Sequence, residues 1–390
     1  NNSYDECNTH NHAAYPSSSS CKYEDEIFLQ HILKRIENHN QKDTSRPIFL
    51  FWAPHSVHTP LQVPKCFLDR YIDKVSDWRR ARYLAMVNYI DTALKTIVEA
   101  LEAKHMMENT LIVCTSDNGG PVYFGGMAGA NNYPLRGGKT SNFQGGIRVN
   151  AWLGGGAIDV SRRGSVLKGL STVWDWYATF ANLAGVDDTV DHQAAVSGLP
   201  PIDSFNLWPW LSGKQPSSPR DTIPIGSSSC IDPSQKPTTC INKWGWGNTT
   251  TIVSGVIMQE KDTIKGEISS NTWKLLLGLQ TMNGWQGPMY PNISTATDAF
   301  DFQNAFIYDC GDKGCLYHLN SDPEERDDLR TKNISMEKKA EQLLYIIRRE
   351  NRTTFSPDRG PGEQYGHITE ACDAAEKKWG GFWGSFLESP

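Results

Sequence analysis

The 390-residue chain has no apolar stretch of the ~20 residues that a membrane-spanning helix needs. It has no basic run, and 38 Lys and Arg against 44 Asp and Glu leave a mild net charge of −6. That balance argues against a nucleic-acid partner. No two Cys stand in Cys-x-x-Cys spacing, so a structural zinc site is not expected. No segment repeats, and no signal peptide is visible, as expected of a processed or missing N-terminus.

Other features are plentiful. The length allows two domains and a sizeable core. Thirteen Trp raise sugar-stacking surfaces, although core contacts account for most of them. Five Asn-x-Ser/Thr sequons, at Asn1, Asn248, Asn292, Asn333 and Asn351, stand beside nine Cys. Together they point to a glycosylated protein of the secretory pathway, secreted or lysosomal. The odd Cys count leaves one thiol unpaired within the chain. Cys7 with Cys21, Cys230 with Cys240 and Cys310 with Cys315 each flank short polar segments and are candidate disulfides, whereas Cys114 lies within an apolar run and reads as a buried free thiol.

Periodicity predicts helices over Glu24–Asn38, Trp78–Ala103, Ser171–Leu183 and Met336–Arg349. In the second, Tyr83, Met86, Val87, Ile90, Leu94, Ile97, Val98 and Leu101 trace one face. Short β-branched and apolar runs predict strands at Ile48–Trp52, Thr110–Thr115 and Val149–Leu153, then Thr251–Met258, Trp273–Leu277 and Gly314–Leu319. The early strand-helix-strand rhythm predicts an α/β fold with a mostly parallel sheet flanked by helices. Pro- and Ser-rich sequence over residues 213–224 marks a boundary. Residues 1–217 are then the α/β part, and residues 218–390 a smaller α+β subdomain with an antiparallel sheet and a wrapping tail.

Two strand ends carry chemistry. Thr110–Thr115 runs into Asp117-Asn118-Gly119-Gly120, and Ile48–Trp52 runs into a segment holding His55 and His58. The carboxyl ends of strands are where α/β sheets place ligands. Alone, Asp-Asn-Gly reads as a turn. Yet Asp117 and Asn118 present hard oxygens suited to Ca²⁺ or Mg²⁺. Lys139, in the Gly-rich stretch of residues 119–146, adds a cation for an anionic substrate. A loop of that length in a compact domain is usually functional.

Ser56-Val-His-Thr-Pro-Leu-Gln-Val-Pro64, Ser116-Asp-Asn-Gly-Gly120, Pro134-Leu-Arg-Gly-Gly-Lys139 and Gly145-Gly-Ile-Arg148 together resemble the sulfatases, within the alkaline-phosphatase-like superfamily. Trp273-Lys-Leu-Leu276 and Asp322-Pro-Glu-Glu-Arg-Asp-Asp-Leu329 extend the resemblance through nearly the whole chain. The resemblance implies sulfate ester hydrolysis on a glycan or aryl sulfate. It implies Asp117 and Asn118 as metal ligands, Ca²⁺ being the usual ion. His58 would contact sulfate or assist proton transfer, and Lys139 would neutralise a sulfate oxygen. His55 is the rival histidine, and Arg136 and Arg148 would brace the loop. The family nucleophile, a formylglycine formed from Cys in Cys-x-Pro-x-Arg, has no counterpart here, and the early Asp-Asp pair is missing too. The chain therefore resembles the C-terminal portion of a sulfatase, with formylglycine expected only in an N-terminal part joined through Cys372. Gln144 stands where the family usually has Glu, and Asp203-Ser-Phe-Asn206 departs from the family's Asp-Gly-x-Asp. The alternative from another class is an inactive sulfatase-like glycoprotein, a structural or glycan-binding part of an extracellular assembly. A phosphatase or phosphodiesterase of the same superfamily fits the segments less well.

Overall fold

The computed structural model describes residues 23–43, 45–122, 128–186, 189–230, 249–261, 268–291, 307–332, 336–353, 368–378 and 380. Cys7, Cys21 and Cys240, and the sequons at Asn1, Asn248, Asn292 and Asn333, lie outside them.

Helix α1 (Glu24–Asn38) opens with Glu24, Asp25 and Glu26, acids that complement the positive end of the helix dipole. Leu29 and Ile36 are buried on its inner face. A single turn, α2 (Lys65–Leu68), precedes the 26-residue α3 (Trp78–Ala103). Asp77 caps α3 by accepting from the amides of Arg79 and Arg80 at 2.9 and 3.0 Å. The buried face of α3 is Ala81, Ala85, Met86, Tyr89, Ala93, Ile97 and Leu101. It is rotated from the expected stripe, and Val87 is exposed. The three alanines let neighbouring helices approach closely, and Tyr89 spans to α1 by donating to Glu26 at 3.0 Å.

Strand β1 (Ile112–Thr115) forms as expected, but its partner β2 (Ala151–Gly154) runs antiparallel, pairing Ile112 with Gly154 and Thr115 with Ala151. Ile48–Trp52 is not a strand and pairs in no sheet among the described residues. The expected mostly parallel sheet is therefore not assembled among the described residues. A run of β-formers becomes a strand only when a neighbour takes its backbone hydrogen bonds. Phe49 and Phe51 are accordingly 68% and 84% exposed. Cys114 is exposed rather than buried for the same reason: nothing described covers that end of β1. A four-residue helix, α4 (Gln144–Ile147), lies between β1 and β2 in sequence. Helix α5 (Asp175–Leu183) starts four residues later than expected, after a turn in which Asp175 accepts from the Thr172 amide.

The C-terminal region holds the expected antiparallel sheet. Its strand order is β3 (Thr222–Cys230), β4 (Thr249–Lys261), β5 (Ile268–Leu276), β8 (Cys315–His318), with a separate ribbon of β6 (Leu279–Thr281) and β7 (Ile307–Asp309). Strand β3, which starts inside the expected boundary, is an edge, where Pro224 is tolerated. Successive side chains alternate faces. Val256, Leu275 and Leu316 pack under Leu343 and Ile347 of the helix Glu337–Thr353. Ile225, Ile257, Leu276 and Tyr317 face the other way and bury Phe143, the residue just before α4. The sheet thus clamps the base of the Gly-rich loop. Cys310 and Cys315 form the expected disulfide, across the turn between β7 and β8. Cys372 makes no disulfide with a described residue. The Asn351 amide group is tied to the backbone of Val253 in both directions, at 2.7 and 2.6 Å.

Candidate active site

The His58 loop is set by one buried carboxylate. Asp25 is almost wholly buried in the first turn of α1. It accepts from the amides of His55 and Ser56 at 2.7 and 3.0 Å, and from the Ser56 hydroxyl at 2.6 Å. His58 continues this turn through its amide, which donates to the His55 carbonyl at 2.9 Å. His58 Nδ1 lies 2.7 Å from the Thr59 carbonyl. A carbonyl only accepts, so Nδ1 carries the proton and the neutral ring presents the Nε2 lone pair. Nε2 faces Lys139 Nζ at 3.3 Å. His55 instead pairs with Glu24 at 2.7 Å, which raises its pKa above 6.5.

Lys139 is held by backbone geometry. Its amide donates to the Gly120 carbonyl at 3.1 Å. Asn132 ties the same strands of loop together, donating to the Gly120 and Gly137 carbonyls and accepting from the Gly120 amide. The Gly119 amide donates to the Gly146 carbonyl at 2.9 Å. A Cβ on Gly119 would sit 1.7 Å from the Gly145 carbonyl oxygen, so only glycine permits this crossing. Three distant segments, His58, Asp117-Asn118 and Lys139, therefore belong to one hydrogen-bonded cluster, although no parallel sheet brings them together.

Asp117 is exposed at the end of β1, with Oδ1 accepting from the amide of the next residue, Asn118, at 2.8 Å. Asn118 Nδ2 donates to the Gly119 carbonyl at 2.9 Å, which orients its Oδ1 the other way. Asp117 Oδ2 and Asn118 Oδ1 accept no hydrogen bond from a described residue. This pair fits a hard cation, as two of the 6–8 oxygens that Ca²⁺ takes. Among the described residues no cluster of three or more His, Cys, Asp or Glu completes a shell.

The two arginines diverge. Arg136 is buried, stacked over Phe143 and Trp285, with donors to Asn283 Oδ1, the Tyr317 hydroxyl and the Glu325 carbonyl. Arg148 is exposed, and its side chain makes no hydrogen bond or ion pair with a described residue, so the polar bracing expected of both falls to Arg136. Gln144 is buried with Nε2 unpartnered among described residues. Asp203 and Asn206 are structural: Arg220 reaches the Asp203 carbonyl, and Asn206 accepts from the Trp208 amide. Sequence reasoning missed Asp25, which reads only as a helix-dipole acid, and Asn132. It quoted Lys274 and Glu325 without seeing their role. Beside the cluster opens a groove of about 3140 Å³ whose lining includes Asp117, Asn118, Gln144, Arg148, Trp152 and Trp174.

Residues 1–186 match the Sulfatase family model. Over those residues the chain is similar to the sulfatases. It is 28% identical over 341 residues to arylsulfatase J of Mus musculus, covering 87% of this chain and 50% of that protein. It is 31% identical over 188 residues to N-acetylgalactosamine-6-sulfatase of Homo sapiens, covering 48% and 32%. The chain thus spans half or less of the length of these sulfatases. Among solved structures, the crystal structure of Ps i-CgsB in complex with k-i-k-neocarrahexaose superposes with a TM-score of 0.56 at 21% identity, covering 92% of this chain and 61% of that one. The PsFucS1 sulfatase from Pseudoalteromonas sp. gives 0.53 at 19%, covering 85% and 54%. The chain shares its fold with these structures, the PsFucS1 sulfatase among them.

Proposed function

We propose that this sulfatase-like chain supplies the sulfate-gripping part of a sulfuric ester hydrolase acting on a glycan or aryl sulfate. The observation that carries this is the placement of Lys139 Nζ against His58 Nε2, on a loop bonded to the Asp117-Asn118 turn. The Lys139 ammonium offsets charge building on the sulfate oxygens as the ester S–O bond breaks. His58, its Nδ1 proton committed to Thr59, has Nε2 available to hold or pass a proton at the ester oxygen. Asp117 and Asn118 would hold Ca²⁺ or Mg²⁺, which supplies Lewis-acid polarisation of sulfate when bound. No Cys-x-Pro-x-Arg motif exists in the chain to supply the formylglycine nucleophile.

That oxygen comes, in this reading, from an N-terminal sulfatase segment or chain. Exposed Phe49 and Phe51, on a segment that pairs in no sheet among the described residues, support such a partner. So does the groove, about three times the largest usual small-ligand pocket. Cys372, exposed and without a described partner, is the proposed disulfide link. Residues 1–217 form the α/β part and residues 218–390 the C-terminal subdomain. The secretory pathway, with N-glycans at the five sequons, is the proposed setting. No helix among the described residues is long and apolar enough to cross a membrane.

The chain alone is expected not to hydrolyse an aryl sulfate. Joined to a segment bearing Cys-x-Pro-x-Arg, with formylglycine confirmed by mass, it is expected to turn over and to stop with a metal chelator. Chelator-sensitive turnover by the lone chain would refute the missing nucleophile. An inactive joined protein would favour the second reading, an inactive glycoprotein of an extracellular assembly, which Gln144 in place of the family's Glu supports.

A further inference from the structure

Lys274 and Glu325 lie in two segments quoted for the family resemblance, and neither has a role in the site so far. Both side chains are fully buried, and they meet at 2.6 Å. Burial pulls the Lys274 ammonium below its ordinary pKa, while Glu325 pulls the other way. A buried pair is weak evidence for stability, since desolvation offsets much of the attraction. What matters is where the rest of Glu325 points. Its Oε2 accepts from the Gln144 amide at 2.5 Å, and its carbonyl accepts from Arg136 Nη1 at 2.9 Å. Arg136 and Gln144 bracket the stretch that carries Lys139. The Arg136 carbonyl in turn accepts from the Gly145 amide at 2.7 Å, and the Gly146 carbonyl receives the Gly119 amide beside Asp117-Asn118. Glu325 also sits at φ +55°, and Thr140, next to Lys139, at φ +72°. Non-glycine residues hold such angles only where their surroundings over-determine them.

We propose that Glu325 is a positioning residue for the active site. Its carboxylate and carbonyl fix both ends of the loop that carries Lys139, and through Gly146 and Gly119 they set the Asp117-Asn118 turn. Lys274 holds that carboxylate in place from strand β5. The C-terminal sheet thereby preorganises His58, Asp117, Asn118 and Lys139, the groups this chain brings to the site, all within its first 139 residues. This rests on the sulfatase reading for its consequence in catalysis, but not for the coupling itself.

The test compares two charge-free pairs in the 390-residue chain. Lys274→Met with Glu325→Gln keeps an acceptor for the Gln144 amide, and Lys274→Met with Glu325→Leu removes it. Amide exchange is followed at Gly119, Lys139 and Gln144, with thermal melting as the control for global stability. The Leu pair is expected to exchange about tenfold or more faster at these three amides than the Gln pair, with similar melting. Equal exchange in both overturns the proposal. If the Leu pair does not fold, Glu325→Asp, whose carboxylate is one methylene shorter and cannot span both Lys274 and the Gln144 amide, is expected to speed exchange at Lys139; unchanged exchange there overturns it equally. In the joined enzyme, the Leu pair is expected to lower kcat with KM little changed. An inactive parent enzyme with the exchange difference intact would sink the sulfatase reading and leave the coupling standing.

Discussion

Replacing Asp25 with Ala should unfasten the loop that carries His58. The carboxylate is buried and accepts two amides and a hydroxyl, all within 3.0 Å, with the Tyr23 hydroxyl a longer fourth at 3.3 Å. A hydrogen bond to a charged group contributes about 1.5–3 kcal/mol, and a buried donor left without a partner costs a similar amount. Three such bonds would sum to about 4–9 kcal/mol, but neighbouring bonds are not additive and water can enter the vacated space. A loss of about 3–5 kcal/mol is expected. With a urea m-value of about 2 kcal/mol/M, the midpoint should fall by about 1.5–2.5 M. Asp25→Asn, which keeps one acceptor oxygen but turns an amide toward a donor, should lose roughly half as much. Equilibrium urea unfolding followed by tryptophan fluorescence gives both values. A loss below about 1 kcal/mol for the Ala variant would show that the loop does not depend on this carboxylate.

Phe143→Ala empties the contact between the Gly-rich loop and the sheet, where Phe143 is fully buried; a loss of about 3–5 kcal/mol is expected from calorimetry, and one below about 1 kcal/mol would mean that the sheet does not clamp the loop. His55 has a pKa raised by Glu24, so its contribution to stability is complete below pH 6.5 and fades as pH rises through the folded-state value. Because both side chains are about half exposed, the effect should stay within about 1 kcal/mol and vanish in Glu24→Gln, measured as urea midpoints between about pH 5 and 8. Replacing Cys310 and Cys315 with Ser opens a loop only five residues apart, so the entropic loss should be about 2 kcal/mol, and a loss above about 4 would need another cause.

Local patterns determined what the chain could specify locally. Glu24–Asn38 and Trp78–Ala103 form helices at the bounds that periodicity gave, because their own apolar residues recur at helical spacing. The antiparallel strands of the C-terminal region were legible from their β-branched and apolar runs, whose side chains alternate between two packed faces. His58, Asp117, Asn118 and Lys139 could be picked out as candidates by residue type and segment, and the structure brings their segments together. Tertiary structure decided the rest. Ile48–Trp52 has strand composition but no strand partner among the described residues, and pairing is a property of two segments. Cys114 is exposed because burial depends on what covers a strand. The face of α3 turned toward its alanines, since close packing rewards small residues that hydropathy undervalues. Asp25 and Glu325 were invisible as organisers because a carboxylate's value lies in the donors that surround it. Those donors come from residues about 30 positions away for Asp25, and from as far as 181 for Glu325.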